Sequence, residues 1–213
     1  MKSTINLILL LVILTITGCK KENTFTDYKF AEKDLAISCK NQNNALINEA
    51  LLSFENDIAI YYANYAKNDL AKAYSLFLSS AHVNKLNYLD VVSPHSIKVF
   101  KALKNEAGLW DANNPNSHIN YKADLLTCLV DNFKDKKLKT TYNALVTTNS
   151  MKSTLLVAPI AKNYRSIIFD KNLSTYIALD FYYAKFFDID LSSVTEKPAV
   201  EQKVDFNKRP TRK

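Results

Sequence analysis

The chain has 213 residues, a formal net charge of +7, 47% hydrophobic residues and only two glycines. Tight turns, bulges and phosphate-cradling loops draw on glycine's positive φ, so this shortage argues against β-sandwiches and nucleotide-binding α/β folds and favours helices. The length suits one domain with a sizeable core.

At the N-terminus Lys2 supplies a positive charge, Leu7 to Leu14 an unbroken apolar run, and Gly18 a small residue immediately before Cys19. That is the order of an export signal. The apolar stretch from Ile5 to Ile16 falls short of the roughly 20 residues a membrane-spanning helix needs. Leu14-Thr15-Ile16-Thr17-Gly18-Cys19 resembles the lipobox of bacterial lipoproteins. The resemblance covers residues 1–19. It implies that residues 1–18 are a signal peptide and that Cys19 is lipidated, with membrane lipid as its first partner. It also implies a cell-envelope protein facing the periplasm or cell surface. Lys20 stands where that class uses Asp for inner-membrane retention, which implies the outer membrane.

Residues 19–40 begin with Lys20, Lys21 and Glu22 and read as lipid anchor and polar tether. Residues 41–192 read as the helical domain. Asn41 to Asn44 form a turn or cap before a helix in which Ile47, Leu51, Phe54, Ile58, Tyr61 and Tyr65 lie on one apolar stripe. Glu49, Glu55, Asn56 and Asn64 then belong to a solvated face. Asn68 or Asp69 caps a second helix carrying Leu70, Tyr74, Phe77 and Ala81, and the short connection predicts antiparallel neighbours. Ser93-Pro94 marks a third start, with Gly108 as its matching stop. The polar run Asn113 to Ser117 is a loop. Leu125 to Phe133 and Leu138 to Val146 mark further helices, Pro159 breaks or kinks the segment from Leu155 to Ile168, and the apolar Leu173 to Phe187 reads as a central helix. Residues 193–213 read as a disordered basic tail.

The positive charge does not read as a nucleic-acid footprint. Of the +7, Lys2 carries one, residues 19–22 one and residues 196–213 three, leaving +2 for the folded region. We expect no nucleic-acid partner. Once Cys19 is assigned to lipid, Cys39 and Cys128 remain. They are either a disulfide, which across so long a loop contributes about 4 to 5 kcal/mol in the chain-entropy model, or two unrelated buried thiols. Sequence weighs the two equally, because it does not reveal proximity.

No hydrolase, phosphate-loop or metalloprotease motif is present, so neither a cofactor nor a metal is expected. The histidines His82, His95 and His118 lack the spacing that puts metal ligands on one helical face. Asp90, His95, Asp111 and His118 make a polar site only if loops at one end of the bundle bring them together; separate surface or capping histidines are the plainer reading. Arg165 is the only arginine before the tail, and Asp180 interrupts an apolar run and should be buried or partly buried, so the two are expected to form an ion pair tying the last two elements together, with a ligand-binding arginine as the alternative. Tyr61, Tyr62, Tyr65, Tyr182, Tyr183, Phe186 and Phe187 read as core aromatics, with a glycan or peptide groove as the alternative.

These readings predict an all-α protein, a single bundle of about six to eight helices with a basic C-terminal tail. The expected function is a membrane-anchored envelope lipoprotein that binds or assembles with an envelope protein or glycan without catalysis. The alternative is an envelope enzyme with a loop-built His/Asp site.

Overall fold

The computed structural model describes residues 25–114 and 117–195; the signal, Cys19 and the tail from residue 196 lie outside the described residues. Among the described residues there are ten α-helices and no strand, apart from one isolated bridge between Trp110 and Ile119. They are α1 Asn44–Tyr61, α2 Ala63–Ala66, α3 Leu70–His82, α4 Tyr88–Val91, α5 Pro94–Leu103, α6 Asp124–Asp131, α7 Lys136–Thr147, α8 Thr154–Lys162, α9 Tyr164–Ile167 and α10 Lys171–Ile177. A π-helical turn, Ala178–Tyr182, and a 3₁₀ segment, Tyr183–Asp188, continue α10.

Local chemistry sets most helix starts. A helix leaves its first N–H groups without partners, and a short polar side chain just ahead can accept from them. Asn43, Asp69, Ser93, Asp135 and Asp170 do so for α1, α3, α5, α7 and α10. Pro94 occupies the first turn of α5, where its missing N–H costs nothing. With so little glycine, asparagine does the turning: Asn41, Asn68, Asn84 and Asn149, with Lys67, take positive φ. Asn tolerates that region because its short side chain bonds locally.

Several boundaries differ from the sequence expectations. α5 ends at Leu103 rather than near Gly108, and Trp110 Nε1 donates to the Leu103 carbonyl at 2.6 Å, satisfying one of the terminal acceptors. Gly108, with φ of 75°, turns the chain farther on. Pro159 sits inside α8, and the break falls at Asn163, between α8 and α9. α1 and α3 meet through Phe54–Phe77 and Glu55–Tyr74, with Tyr62, just past the end of α1, donating to Ser80. The intervening α2 and the left-handed Lys67 and Asn68 redirect the chain.

Two segments form the centre. Every residue from Leu173 to Ala184 is buried, as its composition predicts. α1 is buried almost all round, including Glu49 and Glu55, which corrects their assignment to a solvated face. The covering element is the chain before α1. Lys29 and Phe30 N–H groups donate to the Glu49 carboxylate at 2.8 and 3.1 Å, and Ala36 N–H donates to Asn48 Oδ1 at 2.9 Å. Ile37 and Cys39 are buried, and Cys39 is disulfide-bonded to Cys128 of α6, with Cα atoms 5.9 Å apart and a sequence separation of 89. Residues 25–40 are thus a strap fixed to the domain, not part of a free tether.

Candidate functional site

The polar chemistry of the interior is concentrated where α1 meets the π turn. A carboxylate removed from water needs donors to replace the lost hydration. Asp57, on α1, accepts from Ser96 Oγ and Tyr182 OH, each at 2.6 Å, and from the Ser93 N–H at 3.0 Å. Asp180, on the π turn, accepts from Ser117 Oγ and Tyr176 OH, each at 2.7 Å, and from Tyr121 OH at 3.2 Å. Burial pushes both acids above the ordinary carboxylate range, and the donated hydrogen bonds oppose that push. The same burial, with the neighbouring carboxylates, raises the hydroxyls of Tyr176 and Tyr182 well above the usual phenol value, so they stay protonated and donate.

A second pair of acids ties outer elements to α1. Glu55 accepts from Tyr74 OH at 3.0 Å and from Lys171 Nζ at 2.7 Å, linking α3 and α10. Glu49, besides holding the strap, lies 2.6 Å from His95 Nε2. The acids along α1 therefore work as fasteners. Each joins a segment distant in sequence to the central helix.

The predicted Arg165–Asp180 pair is not formed. Arg165 is exposed and its guanidinium lies 5.5 Å from the Tyr164 ring, whereas Asp180 is fully buried with hydroxyl donors. Neutral hydroxyls can satisfy an acid whose own pKa is raised, so a guanidinium need not be buried with it. The four-residue polar site also separates. His95 pairs with Glu49 and packs near Phe25 and Phe30. His118 pairs with Asp188 at 2.8 Å and stacks against Phe187. Asp111 accepts from the Asn113 N–H in a local turn, and Asp90 accepts from Asn87 at the start of α4. The loops bring Asp111 and His118 together only through backbone, the Asp111 N–H donating to the His118 carbonyl at 2.7 Å. No group of three or more potential metal-ligating side chains occurs among the described residues.

The aromatic residues divide. Tyr62, Tyr182, Tyr183 and Phe186 are core, and Tyr182 touches Phe54, Phe77 and Phe186 edge-on or tilted. Tyr61 and Tyr65 reach solvent beside Ile60, with Tyr65 69% exposed. Two shallow clefts indent the surface, of about 220 Å³ beside Gln42, Glu106 and Lys122 and about 90 Å³ beside Lys134, Pro159 and Phe169. Both are below the roughly 300 Å³ at which small-molecule pockets begin.

The chain matches no protein-family model, no curated protein and no solved structure. Geometry and chemistry alone carry the functional reading. The residues that sequence reasoning missed are Glu49, Glu55 and Asp57. Asp57 had a legible signal, since it sits between Phe54 and Ile58 at the edge of the apolar stripe. Glu49 had none, because the strap that covers it has no apolar period.

Proposed function

We propose that this is a lipid-anchored envelope protein that acts as a non-enzymatic binding or assembly module. The observation that carries the binding role is the exposed apolar end of α1 and α2, where Ile60 is 58% exposed and Tyr61 and Tyr65 stand in solvent beside it. Apolar and aromatic side chains grouped on a surface favour a protein or glycan partner, because covering them removes apolar area from water while the tyrosine hydroxyls stay hydrated. Beneath that end Tyr62 donates to Ser80 and Tyr74 to Glu55, which hold α1 against α3 and lower the backbone ordering cost of presenting the surface.

The Cys39–Cys128 bond supports the envelope location, since such bonds persist in oxidising compartments and are rare where glutathione keeps thiols reduced. Lipid attachment at Cys19 rests on the lipobox resemblance. Among the described residues His95 and His118 pair with different carboxylates, Glu49 and Asp188, and so lend the enzyme reading no support.

Crosslinking and pull-down from native membranes with the lipid-bearing protein test the proposal. A partner recovered with the wild type and lost with Y61A/Y65A supports it. Equal recovery with the variant, or none with either, counts against it.

A further inference from the structure

The formal charge of +2 for the folded region hides a segregation. Residues 132–169 hold seven Lys and Arg against Asp135 alone, a net of +6, so the rest of residues 25–195 is net −4. No Asp or Glu occurs from Lys136 to Phe169. Lys136, Lys137, Lys152, Lys162 and Arg165 are exposed, and none has a carboxylate partner among the described residues.

The same elements expose large apolar side chains. Phe169 is 68% exposed and Leu155 49%. Phe169, Pro159, Lys134, the helix cap Asp135 and the buried Asp170 line one shallow cleft, and Lys134 Nζ donates to the Phe169 carbonyl at 2.5 Å, which joins the start of α7 to the end of α9. Lys136 and Lys137 also fill the first turn of α7, which has no acidic residue within it. Positive charge there opposes the helix dipole, so local stability does not explain the choice.

We propose that the α7–α8–α9 face is a second membrane contact, docking on a bilayer with anionic headgroups and placing Phe169 at the interface. Apolar side chains set singly among long cationic ones match a membrane surface, where the rings enter the acyl boundary and the lysine heads reach the phosphates. Chain length supplies the proximity. This step rests on the lipoprotein reading: with the strap fixed from residue 25, the six steps from Cys19 to Phe25 span at most about 20 Å. So short a leash holds the domain at the bilayer surface, and charge complementarity, not the position of the strap beside His95, selects this face.

The test uses the full lipid-bearing chain carrying Phe169→Trp, on vesicles of phosphatidylcholine alone or with phosphatidylglycerol, each with brominated acyl chains. Wild-type signal from Trp110 is subtracted. The expected result is bromolipid quenching at position 169 on the phosphatidylglycerol vesicles, lost on neutral ones and in high salt. Each basic side chain contributes about a fivefold factor near an anionic leaflet, so K136Q/K137Q/K162Q lowers the docked-to-undocked ratio on the order of a hundredfold. Flotation with neutral vesicles reads the anchor separately. Flotation without anion-dependent quenching overturns the docking face and leaves the anchor standing. Failure to float with neutral vesicles overturns the anchor, while quenching on anionic vesicles still decides the face. Salt-sensitive capture of polyglutamate without bromolipid quenching identifies an acidic macromolecule as the partner and also overturns the proposal. Unfolding midpoints of the variants equal to wild type show that the fold is intact.

Discussion

The interior around α1 and the surface of α7 to α9 treat charge in opposite ways. Along α1, Glu49, Glu55 and Asp57 face inward, and each meets two or more donors from other elements. Along α7 to α9, most basic side chains face outward and meet no acid. Buried charge needs partners to persist at all, so its partners explain it. Exposed like charge is kept against mutual repulsion, so its explanation lies outside the molecule.

The disulfide gives the largest way to sharpen this contrast, because it belongs wholly to the fastened side. Replacing both Cys39 and Cys128 by Ser is expected to cost about 4 to 5 kcal/mol in the chain-entropy model, read as a lower urea midpoint. Reduction of the wild type should give a similar loss. A loss below about 1 kcal/mol would show that Glu49 and the strap hydrogen bonds hold the N-terminal segment without the covalent link.

Asp180 comes next. Asp180→Ala leaves Ser117, Tyr121 and Tyr176 with buried hydroxyls facing a cavity, and the expected loss is about 3 to 5 kcal/mol. Arg165→Ala on the exposed face should stay within about 0.5 kcal/mol. Equal effects from the two substitutions, measured by chemical unfolding, would restore the ion pair that the hydrogen bonding argues against.

Acidity tests the same interior more gently. The folded-state pKa of Asp57 is raised above its value of 3.8 in an open chain. Its contribution is therefore fully present below the unfolded pKa and fades as pH rises through the folded one, the reverse of a salt-bridged aspartate. Each unit of elevation corresponds to about 1.4 kcal/mol. Asp57→Asn removes the titration, so the stability difference between wild type and variant should shrink with rising pH from about pH 4 upward. A difference independent of pH would mean that the three donors fully offset the burial of the charge.

How much of this was legible in the sequence follows from how local each determinant is. Caps such as Asp69 and Ser93 are read from a few neighbouring residues, and the unbroken apolar run after Leu173 announces a central segment. That Asp180 needed a partner was also legible. Its identity was not, because Ser117 and Tyr121 arrive from a loop about sixty residues away. The strap escaped notice for the same reason: Ile37 and Cys39 show no period, and their role depends on what α1 presents to them. The basic face was hidden by averaging, since one net charge for the domain cancels a positive edge against an acidic remainder, five of whose sixteen acids are buried.

The smallest expected effect is the one that separates the two regions most cleanly. Lys136 and Lys137 stand in the first turn of α7, where only the cap Asp135 balances the exposed N–H dipoles. Neutralising them removes an unfavourable interaction with the helix dipole and mutual repulsion, so K136Q/K137Q should raise stability, by about 0.3 to 1 kcal/mol at low salt. The gain should shrink as salt screens it. Any acid of α1 behaves oppositely when truncated, because its charge is already answered from within the fold. A loss of stability from K136Q/K137Q would show that these lysines serve the fold after all, and would remove the main reason for looking to a bilayer to explain them.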